Sequence, residues 1–147
     1  MTNVNQTIRA FGYPATLVAE YEHWLLLVRP AQPTLGSLIL AAKGDATAFG
    51  DLAPGAHAEL KPITAAIECA LGIWPGSSRL NYLMLMMVDP HVHFHVIPRY
   101  ERSRTFAGLE FADTGWPGPP DLKSTKILNE SQILALVDVL REKMTLN

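Results

Sequence analysis

Runs and spacings of apolar residues divide this chain into strands and helices. Trp24-Leu25-Leu26-Leu27-Val28 is apolar at every position and is stopped by Arg29-Pro30, which predicts a short buried strand. Leu38-Ile39-Leu40, after Gly36, predicts another, and Leu17-Val18-Ala19 a shorter one. The Pro30 and Pro33 segment between them is a kinked connection. Leu83 to Val88 (LMLMMV) is unbroken in its apolarity, as expected of a central strand covered on both faces. Asp89-Pro90 then turns the chain into His91 to Ile97 as its hairpin partner. Leu60, Ile63, Ile67, Ala70 and Leu71 recur at helical spacing, predicting a helix from Pro54 to Leu71 that stops at Gly72. Ile133, Leu136, Val137, Leu140 and Met144 predict a C-terminal amphipathic helix capped by Asn129 or Ser131. A short helix fits residues 1–16, ending near Gly12-Tyr13-Pro14, and residues 105–120 read as an irregular excursion rich in Gly, Pro and Asp. Strands at the centre with a helix between and another after them give an α+β class.

Composition narrows the partners. At 147 residues the chain fits one domain, 1–147, and 48% hydrophobic with 18% charged residues is too apolar for disorder. A net charge of -2 leaves no basic excess to track a phosphate backbone, so nucleic acid is excluded as the default partner. The single cysteine, Cys69, excludes an intramolecular disulfide and any Cys-based zinc cluster. Its place in the helix predicts a buried, inert thiol. No apolar core of a secretory signal opens the sequence, and no run approaches the roughly 20 residues of a membrane span. The expectation is a cytoplasmic protein with no membrane partner.

The chemistry is concentrated in His91-Val92-His93-Phe94-His95-Val96-Ile97. Alternate side chains of a strand share a face, so the three histidines form a row about 6.5 Å apart above an apolar anchor of Val92, Phe94 and Val96. Two readings follow. His at i and i+2 could converge on one metal ion, but i and i+4 lie about 13 Å apart and cannot both reach a bond of ~2 Å. A metal centre would therefore take two of the three and a ligand from elsewhere. The other reading is imidazole chemistry on phosphates: a neutral ring attacks phosphorus while its neighbours hold oxygens or orient it.

The same residues resemble the signature of the histidine triad superfamily of nucleotidyl hydrolases and transferases. The continuation Pro98-Arg99 is similar to the fragile-histidine-triad branch, whose members cleave dinucleoside polyphosphates. The likeness reaches back through Leu83–Pro90 and more weakly to Leu25–Leu40 and Phe49–Pro54. It implies an antiparallel sheet of about five strands with one long helix and a C-terminal helix, a homodimer, and no redox cofactor. It also implies that His93 attacks the α-phosphorus of a nucleotide or dinucleotide to form a covalent nucleotidyl-histidine, that His95 binds phosphates and that His91 supports the ring. Family members typically place a Gln four residues before the first histidine, where this chain has Met87. An Asn-Gly pair commonly lies some ten residues upstream; here Asn81 is followed by Tyr82. The Asn that often meets ribose corresponds to Arg29.

Other residues carry weaker signals. Asn81 fits ribose or phosphate binding, or a turn. Arg99 fits an outer phosphate as well as it fits a solvated cluster with Glu101, whereas Arg102 and Arg104 fit the cluster better. Trp24 reads as core, as do Met84, Met86 and Met87. Three functions remain open: a nucleotide hydrolase or transferase working through His93, a module that binds nucleotides without turnover, and a metal-dependent hydrolase using two triad histidines.

Overall fold

The computed structural model describes residues 4–145. Residues 1–3 and 146–147, included above in the single domain, lie outside the described residues. The chain runs α1 (Gln6–Ala10), β1 (Leu17–Glu20), β2 (Trp24–Val28), β3 (Ala31–Gln32), β4 (Leu38–Ala42), α2 (Pro54–Ile73), β5 (Arg79–Leu83), β6 (His93–Arg99), β7 (Arg104–Phe106), β8 (Leu109–Phe111), β9 (Lys126–Ile127) and α3 (Glu130–Thr145). The class is α+β. Five strands form one antiparallel sheet in the order β1-β2-β4-β6-β5, and β3-β9 and β7-β8 pair separately.

The continuous apolarity of β2 and β4 follows from their place at the centre, where both sheet faces are covered. Leu26 lies opposite Leu40 and Val28 opposite Leu38 on one face; Leu25 lies opposite Ala41 and Leu27 opposite Ile39 on the other. The first face packs against Ile63, Ile67 and Leu71 of α2 and Leu136, Val137 and Leu140 of α3. The second is covered by α1, through Ile8 and the neighbouring Phe11. Asn5 caps α1, accepting from the Ile8 amide at 3.0 Å, and donates to the carbonyls of Ala42 and Gly44. One side chain thus starts the helix and ties it to the end of β4.

The long helix runs two residues past Leu71, through Gly72. Pro75 disfavours helix at Trp74, whose extended backbone (φ -148°, ψ 130°) ends the helix. Asn129 caps α3 reciprocally: its Oδ1 accepts from the Gln132 amide, and Gln132 Oε1 accepts from the Asn129 amide, both at 2.9 Å. Cys69 is exposed, contrary to the expectation of a buried thiol. It lies two residues beyond buried Ile67, roughly 200° round the helix, on the opposite side from the packed stripe.

The larger correction concerns Leu83–Val88. No central strand forms there; β5 is Arg79–Leu83, an edge strand bonded only to β6, and the chain then leaves the sheet. Met87 is 86% and Val88 94% exposed, so Met87 is not core, whereas Met84 and Met86 pack partly against it. An unbroken apolar run has no period, so it looks the same at a sheet centre and in a loop beside the edge. The hairpin partner shifts accordingly, beginning at His93 and continuing through Pro98 to Arg99.

The excursion from Thr105 to Pro120 holds most of the β7-β8 ribbon, which begins one residue earlier at Arg104, and is pinned by Arg99. That guanidinium, 5% exposed, donates to both oxygens of Asp113 at 2.7 and 3.1 Å and to the Gly118 carbonyl at 2.9 Å. Removing one partner of such a buried pair strands the other charge. Asp113→Ala is therefore expected to cost about 3–5 kcal/mol in urea unfolding, and a loss under 1 kcal/mol would show that the excursion does not depend on it.

Candidate functional site

Alternation along β6 sends Phe94 and Val96 toward the α2 face and His93 and His95 to the α1 face, beside Ala41 and Ile39. The two rings meet edge to face with centroids 5.0 Å apart. Phe11 lies over both, 5.5 Å from His93 and 5.9 Å from His95. His91 precedes the strand instead of beginning it. It is held from α1, where Thr7 Oγ1 lies 2.9 Å from its Nδ1 and accepts from its backbone amide at 3.2 Å.

These contacts fix the proton on each inner ring. His93 Nδ1 is 2.7 Å from the His91 carbonyl, which can only accept, so Nδ1 carries the hydrogen and Nε2 keeps its lone pair. That Nε2 is buried and has no hydrogen-bond partner, and His93 as a residue is 0% exposed. Buried polar atoms are nearly always paired, so each exception calls for an explanation; among the described residues His23 Nδ1 is the other. His95 has the opposite tautomer. Arg29 Nε donates to its Nδ1 at 3.3 Å, which leaves the His95 hydrogen on Nε2. Burial first, then the Arg29 cation and His93, push the His95 pKa down to about 4. The pair is one ring with a free lone pair beside one neutral donor.

The remaining expected site residues sit elsewhere on the same face. Asn81, on β5 opposite Ile97, accepts from Arg99 Nη1 at 2.7 Å. Each nitrogen of Arg99 therefore has an internal acceptor: Asn81, Asp113 and Gly118. The structure brings Asn81 and Arg99 to each other and His93 and His95 to each other, at opposite ends of β6. Three residues not singled out as site residues, Thr7, Phe11 and Arg29, touch the triad. Thr7 and Phe11 lie more than 80 positions before it and carry no motif, so only the folded chain shows them; Arg29 was visible as a departure from the family pattern.

Among the described residues, Glu22, His23 and Glu59 bring possible metal-ligand atoms within 4.8 Å of one another, and no triad histidine belongs to such a group. Glu59 already accepts from the backbone amides of His23 (2.8 Å) and Glu22 (3.2 Å), tying the β1-β2 turn to α2.

No family model and no curated protein sequence matches the chain. Solved structures do share its fold. A histidine triad protein from Sinorhizobium meliloti superposes with a TM-score of 0.74 at 19% identity, covering 97% of each chain. One from Marinobacter aquaeolei gives 0.73 at 18% identity, covering 99% of this chain and 98% of that one. The diadenosine triphosphate hydrolase of Plasmodium falciparum, solved with Cyclomarin A, gives 0.66 at 11% identity, covering 91% and 79%.

Two measurements check this geometry. Phe11→Ala should uncover Nε2 and speed acylation of His93 by diethyl pyrocarbonate at least severalfold, as followed by peptide mass; an unchanged rate would show that Phe11 does not cover the ring. The depressed His95 pKa also has a sign in stability. Below pH 6.5 the unfolded ring takes up a proton that the folded ring refuses until about 4, so stability contributed by the neutral ring is lost as pH falls through that window. Melting temperature followed from pH 7 to 4 should drop less steeply in His95→Asn than in the wild type, and parallel curves would contradict the shift.

Proposed function

We propose that this chain, which has the histidine triad fold, binds a nucleotide and cleaves a phosphoanhydride or phosphoramidate bond at its α-phosphate through a covalent nucleotidyl-histidine on His93. One observation carries the reading: a buried imidazole whose Nδ1 proton is held by the His91 carbonyl and whose Nε2 lone pair has no partner. A lone pair fixed in direction is what a nitrogen nucleophile needs, and orientation of that kind lowers barriers substantially. The diadenosine triphosphate hydrolase among the structures of the same fold lends the substrate class.

In the first step Nε2 bonds to the α-phosphorus as the bond to the leaving oxygen or nitrogen breaks, and the leaving group departs with that electron pair and takes up a proton from solvent. The imidazole becomes cationic, and its Nδ1–H bond to the His91 carbonyl strengthens. In the second step water attacks phosphorus and gives up a proton to solvent, the P–N bond breaks, and its electrons return to Nε2; a phosphate acceptor in place of water would give nucleotidyl transfer. His95, with its hydrogen on Nε2, donates to a phosphoryl oxygen. His91 holds the nucleophile through its carbonyl, and Asn81 with Arg99 shapes the far end of the strand. Because Nε2 is buried, phosphorus reaches it only after neighbouring side chains move, and Phe11, whose ring packs 5.5 Å from that of His93, is the candidate. We place the protein in the cytoplasm, as a homodimer of one-domain chains.

A second reading, nucleotide binding without turnover, is favoured by Met87, which is 86% exposed in the loop after β5 and supplies no polar contact to a leaving group. Intact-protein mass spectrometry after a brief, acid-free quench with diadenosine polyphosphate or adenosine phosphoramidate separates the two. An adenylyl adduct is expected on the wild type and absent from His93→Ala. Tight binding with neither adduct nor product would leave the binding module, and product formed without an adduct but lost in chelator would point to a metal-dependent hydrolase.

A further inference from the structure

Two arginines are withdrawn from solvent near the histidine face, and they are treated differently. Arg99 faces Asp113 and has an acceptor at every nitrogen. Arg29, half-buried where β2 ends, forms no ion pair with any described carboxylate. Burial alone moves its pKa, downward, with no acidic neighbour acting against it. Its Nε donates to His95 Nδ1 and its Nη1 to the Ala31 carbonyl. A guanidinium has five N–H donors in a planar fork, so the remaining hydrogens of Nη1 and Nη2 have no protein acceptor assigned to them.

The surroundings say where those donors are used. Ala10, Phe11, Arg29, Pro30 and Ala31 line an open cavity of about 220 Å³. Phe11 is at once a wall of that cavity and the ring lying over His93 and His95. Phe11 thus touches both the cavity and the two rings, and the cavity's cationic wall is Arg29, whose Nε reaches His95. A partly desolvated charge without a counterion costs free energy until an anion meets it, and a planar fork with open N–H groups fits two phosphate oxygens at once.

We propose that Arg29 is the phosphate-binding residue of this site: its outer N–H groups take oxygens of the nucleotide's phosphate chain while its Nε holds His95 as a neutral Nε2–H donor toward the same group. The assignment rests on the reading of the histidines as a nucleotide site. It also supplies a polar contact that exposed Met87 cannot. The site accordingly selects a phosphorylated ligand over the bare nucleoside, through a residue anchored on both sides before the ligand arrives. Lys would keep the charge here and lose both the fork and the fixed bond to His95.

Isothermal titration calorimetry with AMP and with adenosine tests this on the wild type, Arg29→Gln and Arg29→Lys, each checked for an unchanged melting transition. The wild type should bind AMP at least tenfold tighter than adenosine. Arg29→Gln should lose 10-fold or more in AMP affinity while binding adenosine as before, and Arg29→Lys should recover part of the loss. In the unliganded protein, nitrogen-15 chemical shifts should show His95 protonated at Nε2 in the wild type and a mixture of tautomers in Arg29→Gln. Undiminished AMP binding by Arg29→Gln, with the wild-type preference intact, would overturn the role of Arg29 and leave the nucleotide reading standing. Failure of the wild type to prefer AMP over adenosine would overturn both.

Discussion

The alternation of β6 ties the core and the chemistry to one strand. Phe94 and Val96 help to build the apolar layer under α2 and α3, so the strand cannot slip by one residue without putting histidines into that layer and opening the core. The same constraint holds His93 and His95 on the opposite face beside Ala41 and Ile39. Because β4 and β2 are buried on both sides, that face is also a packed one, and α1 completes it. His93 is therefore packed beside the protein's second, smaller core. Its tautomer is set by a backbone carbonyl two residues away, its Nε2 is buried, and Phe11 packs against its ring.

Charge is placed on this face with two different outcomes. At one end Arg99 and Asp113 neutralise each other inside the fold, and Asn81 and Gly118 satisfy what remains; the result holds a long, irregular segment against the sheet. At the other end Arg29 is oriented by His95 and Ala31 and given no carboxylate. A paired ion is finished business for a fold, while an unpaired one keeps electrostatic capacity for something that arrives from outside. The neutral state of His95 follows first from its burial and then from the Arg29 cation beside it, which together disfavour a proton.

Much of the fold was legible along the chain. Trp24–Val28, Leu38–Leu40 and the two helices are carried by local signals: runs of strand length, helical spacing, Pro54 at one start and Asn129 before the other. The exchange of Leu83–Val88 for an edge strand at Arg79–Leu83 was not legible, because apolarity without a period does not report what will cover it. The exposure of Cys69 was not legible for a related reason: a helix repeats every 3.6 residues, and the side that meets the sheet is decided by what the sheet presents.

The site divides the same way. The sequence by itself determined that His93 and His95 share one strand face, with His93 as the candidate nucleophile, since alternation in a strand is a local geometric consequence of the backbone; His91, expected in the same row, lies before the strand. Only the tertiary structure decided that the His91 carbonyl and Arg29 give the two inner rings opposite tautomers, that Phe11 packs against both, and that Arg99 is spent on Asp113. Those are contacts between residues far apart in the chain or on different elements, and their direction depends on packing that no local pattern encodes.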